Sequence, residues 1–200
     1  DELPSGAVVG TTSLRRRMQI LAYRSDLTIK NLRGNLQSRI EKLKRGEYDM
    51  IILAYAGIKR LGLYDVVKYV EPVSKDILVP PMGQAALGIE CRIDSDVFKL
   101  TSGLNDSDAL IECGIEREFV RELEGGCQAP IGINAQIEGE EILIRALVGL
   151  PDGSRFIKKE KRIKRSEHIG FGAELAQEFK DEGALELIRE AIEQADKILI

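Results

Sequence analysis

The segment AVVGTTSLRRR, residues 7–17, determines the fold class of the first part of this chain. Its small apolar residues predict a short buried strand, and Thr12 or Ser13 can cap the helix that follows. A second strand is predicted at 27–32, again followed by a helix, and a third, continuously apolar strand at 50–54. This β-α-β-α-β order predicts an α/β unit with a parallel sheet covered by helices.

A different pattern follows the junction at Pro80 and Pro81, because two prolines exclude a regular helix or a central strand there. A strand is predicted at 87–93, and Asp106 or Ser107 can cap a long helix that ends near residue 123. The remaining predicted elements are strands near 131–138, 141–149 and 154–163 and helices near 167–181 and 183–195. The second part is therefore predicted to be a small α+β domain with a three-stranded sheet.

Composition excludes several classes of protein. The 200 residues are 44% hydrophobic and 31% charged, which is too apolar for a disordered chain, and no run reaches the length of a membrane span. The three cysteines form no CxxC pair, and His168 is the only histidine, so neither a disulfide framework nor a metal site is predicted. No signal-peptide pattern opens the sequence, and a reducing cytoplasmic setting is the expectation.

Basic residues concentrate in the first part of the chain. Residues 1–70 contain 13 Lys and Arg against 7 Asp and Glu, although the whole chain has a net charge of −4. Arginines follow each of the three predicted strands, at Arg15 and Arg16, at Arg33 and Arg39, and at Arg60. Ligands of open α/β sheets bind beyond the carboxyl ends of the strands, and arginine suits carboxylates. The pattern predicts a site for a polyanion.

Two further features leave alternatives open. Cys127 lies between two glycines and a proline, so its thiol is either a reactive nucleophile on a loop or an inert half-buried cysteine. The basic run at 158–165 is either the solvated face of an edge strand or a nucleic-acid contact. The residues alone are also compatible with a non-catalytic module that binds a carboxylate ligand.

Several motifs occur together in the order of one known family. They are Val9–Arg16 (VGTTSLRR), Leu32–Asn35 (LRGN), Gly46–Asp49 (GEYD), Ala56–Leu63 (AGIKRLGL), Gly83–Glu90 (GQAALGIE) and Glu124–Gly132 (EGGCQAPIG). With these motifs the chain resembles the hydroxymethylbilane synthase family, also called porphobilinogen deaminase, over nearly all of its length.

The resemblance implies a transferase of tetrapyrrole (porphyrin and haem) biosynthesis. Such enzymes condense four porphobilinogen units head to tail into hydroxymethylbilane, with release of ammonia, on a covalent dipyrromethane cofactor. Carried over by motif, the cofactor would be held by a thioether to Cys127 and by Ser13, Arg15, Arg16, Arg33 and Gln84. Porphobilinogen and the polypyrrole intermediates would be bound by Thr11, Arg39 and Arg60. Neither nucleic acid nor a membrane is an expected partner.

The resemblance also implies a domain organisation. Residues 1–77 would be domain two, which resembles a type II periplasmic binding protein; 78–105 would be a hinge and a segment returning to domain one; and 106–200 would be the domain that carries the cofactor cysteine. Nothing here matches the family's catalytic aspartate, which lies in domain one. We therefore expect the chain alone to be inactive, and domain one to come from another chain or segment, with 82–102 otherwise rearranged.

A smaller departure from the family pattern lies in the GQAALGIE motif. Ala85 occupies a position where glycine is usual, and we expect its backbone angles to be ones that alanine accepts.

Overall fold

The first half of the chain contains a small parallel sheet. The structure, a computed structural model, describes residues 3–126 and 129–198. Its elements up to residue 104 are β1 (Val8–Gly10), α1 (Leu14–Tyr23), β2 (Thr28–Lys30), α2 (Leu36–Lys44), β3 (Met50–Ile51), α3 (Tyr55–Arg60) and α4 (Asp96–Thr101), with 3₁₀ turns at Leu63–Val66 and Ser102–Leu104. The strands are parallel, as predicted, and their order in the sheet is β2-β1-β3.

The second half is built on an antiparallel sheet. Its elements are α5 (Ser107–Glu122), β4 (Ile131–Glu138), β5 (Glu141–Gly149), β6 (Phe156–Lys164), α6 (Phe171–Asp181) and α7 (Ala184–Ile198), with a 3₁₀ turn at Arg165–Glu167. The strand order is β4-β5-β6. The three helices pack on one another and on the sheet around Phe119 and Phe179, whose rings meet edge to face with centroids 5.0 Å apart. This sheet and its helices confirm the predicted α+β part.

A smaller apolar cluster joins the two halves. Met18 on α1, Val79 in the junction and Leu147 on β5 are all buried and pack together. The chain also approaches α1 closely at Gly153, in the turn between β5 and β6. The junction and the β5–β6 hairpin therefore hold α1 against the antiparallel sheet.

The strand predicted at 87–93 is wrong. Residues 85–93 belong to no strand, and Leu87 and Ile93 are 78% and 80% exposed. A strand requires a neighbouring strand to satisfy its N–H and C=O groups, and none of the described residues provides an edge at this place. The apolar alternation is real, but the described part of the chain does not cover it.

Ala85 also differs from expectation. Its φ is +75°, in the left-handed region, which costs a residue with a Cβ about 1–2 kcal/mol. The expectation that alanine would find ordinary angles here is therefore wrong, and the backbone keeps the turn that glycine would favour.

The basic run lies on β6, at the edge of the antiparallel sheet. Its residues alternate between exposed and half-buried, as expected for an edge strand with one solvated face. Several of its cations are paired: Lys159 contacts Glu178 at 2.8 Å and Glu182 at 2.6 Å, Lys161 contacts Glu178 at 2.9 Å, and Arg162 contacts Glu138 at 2.8 Å. These pairs neutralise much of the charge that a nucleic acid would need.

Candidate functional site

The candidate site begins where β1 ends and α1 begins. Ser13 caps the helix, with its hydroxyl oxygen accepting a hydrogen bond from the Arg16 N–H at 3.4 Å. The hydroxyl oxygen of buried Thr11 accepts a bond from the Ser13 N–H at 3.1 Å, which fixes the loop between strand and helix. The N-terminus of α1, which is the positive end of the helix dipole, is therefore held in a fixed position by these two hydroxyl groups.

A cleft of about 530 Å³ opens at this helix terminus. It lies between α1, the loop after the junction and the C-terminal end of α5. The predicted site residues that line it are Thr11, Ser13, Arg15, Arg16, Arg39 and Gln84. No aspartate or glutamate is among its lining residues in the described part of the chain. The cleft is therefore a cationic cavity that suits an anionic ligand of moderate size.

Arg15 is almost completely buried, with 7% of its surface exposed. One guanidinium nitrogen donates a hydrogen bond to the Val79 carbonyl oxygen at 2.5 Å. Burial, together with the nearby charge of Arg16, lowers the pKa of Arg15 to about 10. Among the described residues its side chain has no carboxylate partner, so it retains donors and a positive charge that an anion can satisfy.

Arg16 and Arg39 contribute two more cations. Arg16 donates to the Ile52 carbonyl oxygen at 2.7 Å, and Arg39 donates to the Gly34 carbonyl oxygen at 2.7 Å. Burial lowers the pKa of Arg16, and repulsion from Arg39 lowers it further. Both guanidinium groups are thus oriented by backbone carbonyls, and a bound carboxylate would relieve the repulsion between them.

The structure does not bring every predicted residue to the cleft. Arg33 and Arg60 are exposed and are not among its lining residues. Cys127 lies outside the described residues, but Gly125, Gly126 and Ala129 on either side of it line the cleft. The roles assigned to these residues and to those in the cleft stay predictions.

The sequence pattern does not predict a role for Gln19. Its side-chain amide nitrogen donates to the Val79 carbonyl oxygen at 3.1 Å, and its amide oxygen accepts from the Val79 N–H at 2.7 Å. Gln19 and Arg15 therefore hold the junction together. The only signal in the sequence is the i, i+4 spacing of these two residues on α1, which places them on one face but names no partner.

The chemistry of the cleft follows from these groups. Arginine forks bind carboxylates in bidentate fashion, and a helix N-terminus favours the same charge. Ligands that carry several carboxylates fit this donor set. Among residues 3–126 and 129–198, no cluster of three or more His, Cys, Asp or Glu side chains could hold a metal ion. No helix in the same ranges is long and apolar enough to cross a membrane.

Comparison with known proteins gives a consistent result. A family model described as "Porphobilinogen deaminase, dipyromethane cofactor binding domain" matches residues 1–99, and one described as "Porphobilinogen deaminase, C-terminal domain" matches residues 110–181. Curated proteins named porphobilinogen deaminase are similar to this chain. That of Campylobacter hominis is 53% identical over 98% of the chain, that of Campylobacter jejuni subsp. doylei 57% over 94%, and that of Nitratiruptor sp. 51% over 98%. The chain spans 62–63% of the length of these relatives.

Proposed function

The chain belongs to the porphobilinogen deaminase family, and we propose that it supplies the cofactor cleft and the C-terminal domain of an enzyme that joins four porphobilinogen units into hydroxymethylbilane. The observation that carries the proposal is the cleft itself. Arg15, Arg16 and Arg39 line it, the described residues add no acidic side chain, and Gly125 and Gly126 bring the chain to it just before Cys127.

The three arginines would bind the carboxylates of the pyrrole rings. Every porphobilinogen unit carries one acetate and one propionate, so a chain of two or more rings is a polyanion. Arg15 is fixed by Val79 and Arg16 by Ile52, so both forks are oriented before a ligand arrives. Binding a ligand therefore costs little additional side-chain entropy at these two arginines.

Cys127 would hold the dipyrromethane cofactor through its sulfur. The carbon–nitrogen bond of porphobilinogen breaks first, and ammonia leaves with the proton of the pyrrole nitrogen, which makes the methylene carbon electrophilic. The cysteine sulfur then bonds to this carbon, and the thiol proton passes to the pyrrole nitrogen, so one thioether forms for each ammonia released. When bound, the cofactor supplies the terminal pyrrole carbon to which porphobilinogen is joined. A cysteine thiol that enters this cationic cleft would be favoured in its thiolate form.

The organisation of the chain forms part of the proposal. We propose that residues 1–77 form a domain like those of type II periplasmic binding proteins and that 106–200 form the cofactor-carrying domain. We also propose that domain one, supplied by this or another chain, covers residues 78–105. Three apolar side chains in this segment that are at least 78% exposed support it: Leu87, Ile93 and Leu100. Steady turnover by the 200-residue chain alone is not expected, since no residue matches the catalytic aspartate motif.

The test is the intact mass of the denatured chain, with an Ehrlich colour reaction for pyrroles on the same sample. The chain is produced with a family member's N-terminal domain, and the variants Cys127→Ser and Cys113→Ser are produced in parallel. We expect a two-pyrrole adduct in the parent and in Cys113→Ser, whose thiol is half-buried on α5, and none in Cys127→Ser. An unmodified parent that still binds porphobilinogen would favour the non-catalytic binding module, and an adduct in Cys127→Ser would overturn the assignment of the cysteine.

A further inference from the structure

Glu116 is a buried carboxylate that reaches from α5 to the wall of the cleft. Its surface is 4% exposed. One carboxylate oxygen accepts a hydrogen bond from the Gly83 N–H at 2.6 Å. The other accepts from the Ala135 N–H at 2.9 Å and from the Asn134 side-chain amide at 3.3 Å. One side chain therefore ties together α5, β4 and the loop at 81–84.

The packing of α5 on β4 does not depend on this carboxylate. Ile115 and Phe119 already bury that face of the helix in the core, and Glu112 makes a second bond to β4 by accepting from the Ile137 N–H at 2.8 Å. Burial raises the pKa of Glu116, and the three N–H donors oppose that rise. Burying a carboxylate costs free energy of desolvation, and an apolar residue would fill this position at a lower cost. Since other residues already hold α5 on β4, the bond to Gly83 is the contribution that only Glu116 makes among the contacts of the described residues.

The loop that receives this bond needs to be held. Gly83 has a φ of +66° and Ala85 a φ of +75°, so Gln84 lies between two residues in the left-handed region. Alanine is strained there, and a free loop would relax. Pro81, Met82 and Gln84 all line the cleft, so relaxation would move its wall.

We propose that Glu116 is a positioning residue that holds the Gly83 N–H and thereby keeps Gln84 in place at the cleft. It lines no part of the cleft and would touch no ligand, so it would act only through the loop. This inference rests on the proposed function insofar as the ligand of the cleft derives from porphobilinogen. The link between Glu116 and the loop does not depend on the ligand.

Glu116→Gln tests the proposal with little change of shape. The amide has a single acceptor oxygen, which keeps two of the three bonds when it faces Ala135 and Asn134. The NH₂ group then faces the Gly83 N–H, so the bond to Gly83 is lost. Glu112→Gln is the matched control, because it makes the same change one turn earlier on α5 and against the same strand. Glu112 has no bond to the loop at 81–84 among the contacts of the described residues.

The first readout is amide hydrogen exchange. In the parent chain the Gly83 amide should be protected although its loop is at the surface, and Glu116→Gln should raise its exchange about tenfold without lowering the Tm by more than Glu112→Gln does. An unprotected Gly83 amide in the parent would overturn the proposal. Equal exchange in the parent and Glu116→Gln would do the same. The measurement on the parent alone stays decisive if the variant folds poorly.

The second readout is the affinity for porphobilinogen, measured by calorimetry. Glu116→Gln should weaken binding about fivefold, and the loss should disappear in a Gln84→Ala background, because coupled residues are not additive. Glu112→Gln should bind like the parent. A full loss on top of Gln84→Ala would show that Glu116 does not act through Gln84. If the parent itself does not bind porphobilinogen, the proposed function fails and the exchange experiment alone decides the role of Glu116.

Discussion

The Arg15 guanidinium donates a hydrogen bond to the carbonyl oxygen of Val79, 64 residues later in the chain, at 2.5 Å. One side chain thus belongs both to the cationic cleft and to the junction between the two sheets. Gln19, one turn further along α1, binds the same carbonyl and the Val79 N–H. The shape of the cleft and the place of the junction are therefore set by neighbouring residues on one helix.

Arg16 is expected to contribute to ligand affinity and little to folding. Replacing it by leucine removes a cleft cation that is oriented by Ile52 and repelled by Arg39, so Arg16→Leu should weaken porphobilinogen binding about tenfold or more. The Tm should stay the same or rise, since a half-buried charge is removed. Calorimetric titration and thermal unfolding measure the two effects.

Arg17→Leu is the control for this experiment. Arg17 is the next residue on α1, but it donates to the Ile29 carbonyl oxygen at 3.3 Å and is not among the cleft-lining residues. Affinity in Arg17→Leu should equal that of the parent. Equal losses in both variants would mean that general charge, and not the cleft, attracts the ligand.

Ala85→Gly is expected to stabilise the chain. The left-handed φ of +75° costs alanine about 1–2 kcal/mol, and the greater freedom of glycine in the unfolded chain returns part of it. The net gain in the free energy of unfolding should be about 0.5–1 kcal/mol. Urea unfolding measures it. Ala86→Gly, whose φ is not positive, should lose stability instead, and a gain in both variants would contradict this explanation.

Gly153 is expected to tolerate no side chain. A Cβ there would lie 2.5 Å from the Ala22 nitrogen and 2.8 Å from the Met18 carbonyl oxygen, both in the backbone of α1. Gly139 has a similar positive φ in the other hairpin, but a Cβ would meet nothing within 4 Å. Gly139→Ala should cost about 1–2 kcal/mol from backbone strain alone, and Gly153→Ala about 1–3 kcal/mol more. Equal midpoints in urea would show that the contact with α1 is loose.

Glu178 is expected to contribute stability that depends on pH. The ammonium groups of Lys159 and Lys161 lie 2.8 and 2.9 Å from its carboxylate and lower its pKa. A carboxylate with a lowered pKa stabilises the fold above its unfolded pKa, near 4.5, and this contribution is lost as the pH falls. Glu178→Gln should cost about 0.5–1 kcal/mol at pH 7, given the solvent around the pair, and less at pH 3. An equal loss at pH 3 would point to packing instead.

Local patterns predicted the elements that local physics determines. Ser13, one of the two caps predicted for the first helix, caps α1, and the β-α order gives the parallel sheet. The predicted strand at 87–93 failed because pairing depends on a partner that the described chain does not offer. Alternation of apolar residues indicates that one face of a segment can be buried, but it does not identify the partner that buries it.

The site was predictable only in part for the same reason. Arginines after a strand are visible in the sequence, but only Arg15, Arg16 and Arg39 line the cleft, while Arg33 and Arg60 lie outside it. Gln19 and Glu116 look like ordinary helix residues, because each acts on a backbone group more than 30 positions away. Contacts of this kind follow from how the two sheets meet, which no short motif records.

The segment Val79–Gly83 has a consequence for how the molecule unfolds. Val79 binds Gln19 on α1. The Pro80 carbonyl oxygen accepts from the Ile133 N–H of the antiparallel sheet at 2.9 Å, and the Gly83 N–H donates to Glu116 on α5. Neither sheet can lose its structure without breaking bonds and apolar contacts that the other uses. Heating should therefore give one cooperative calorimetric transition, with equal calorimetric and van't Hoff enthalpies, although the chain holds two separate cores.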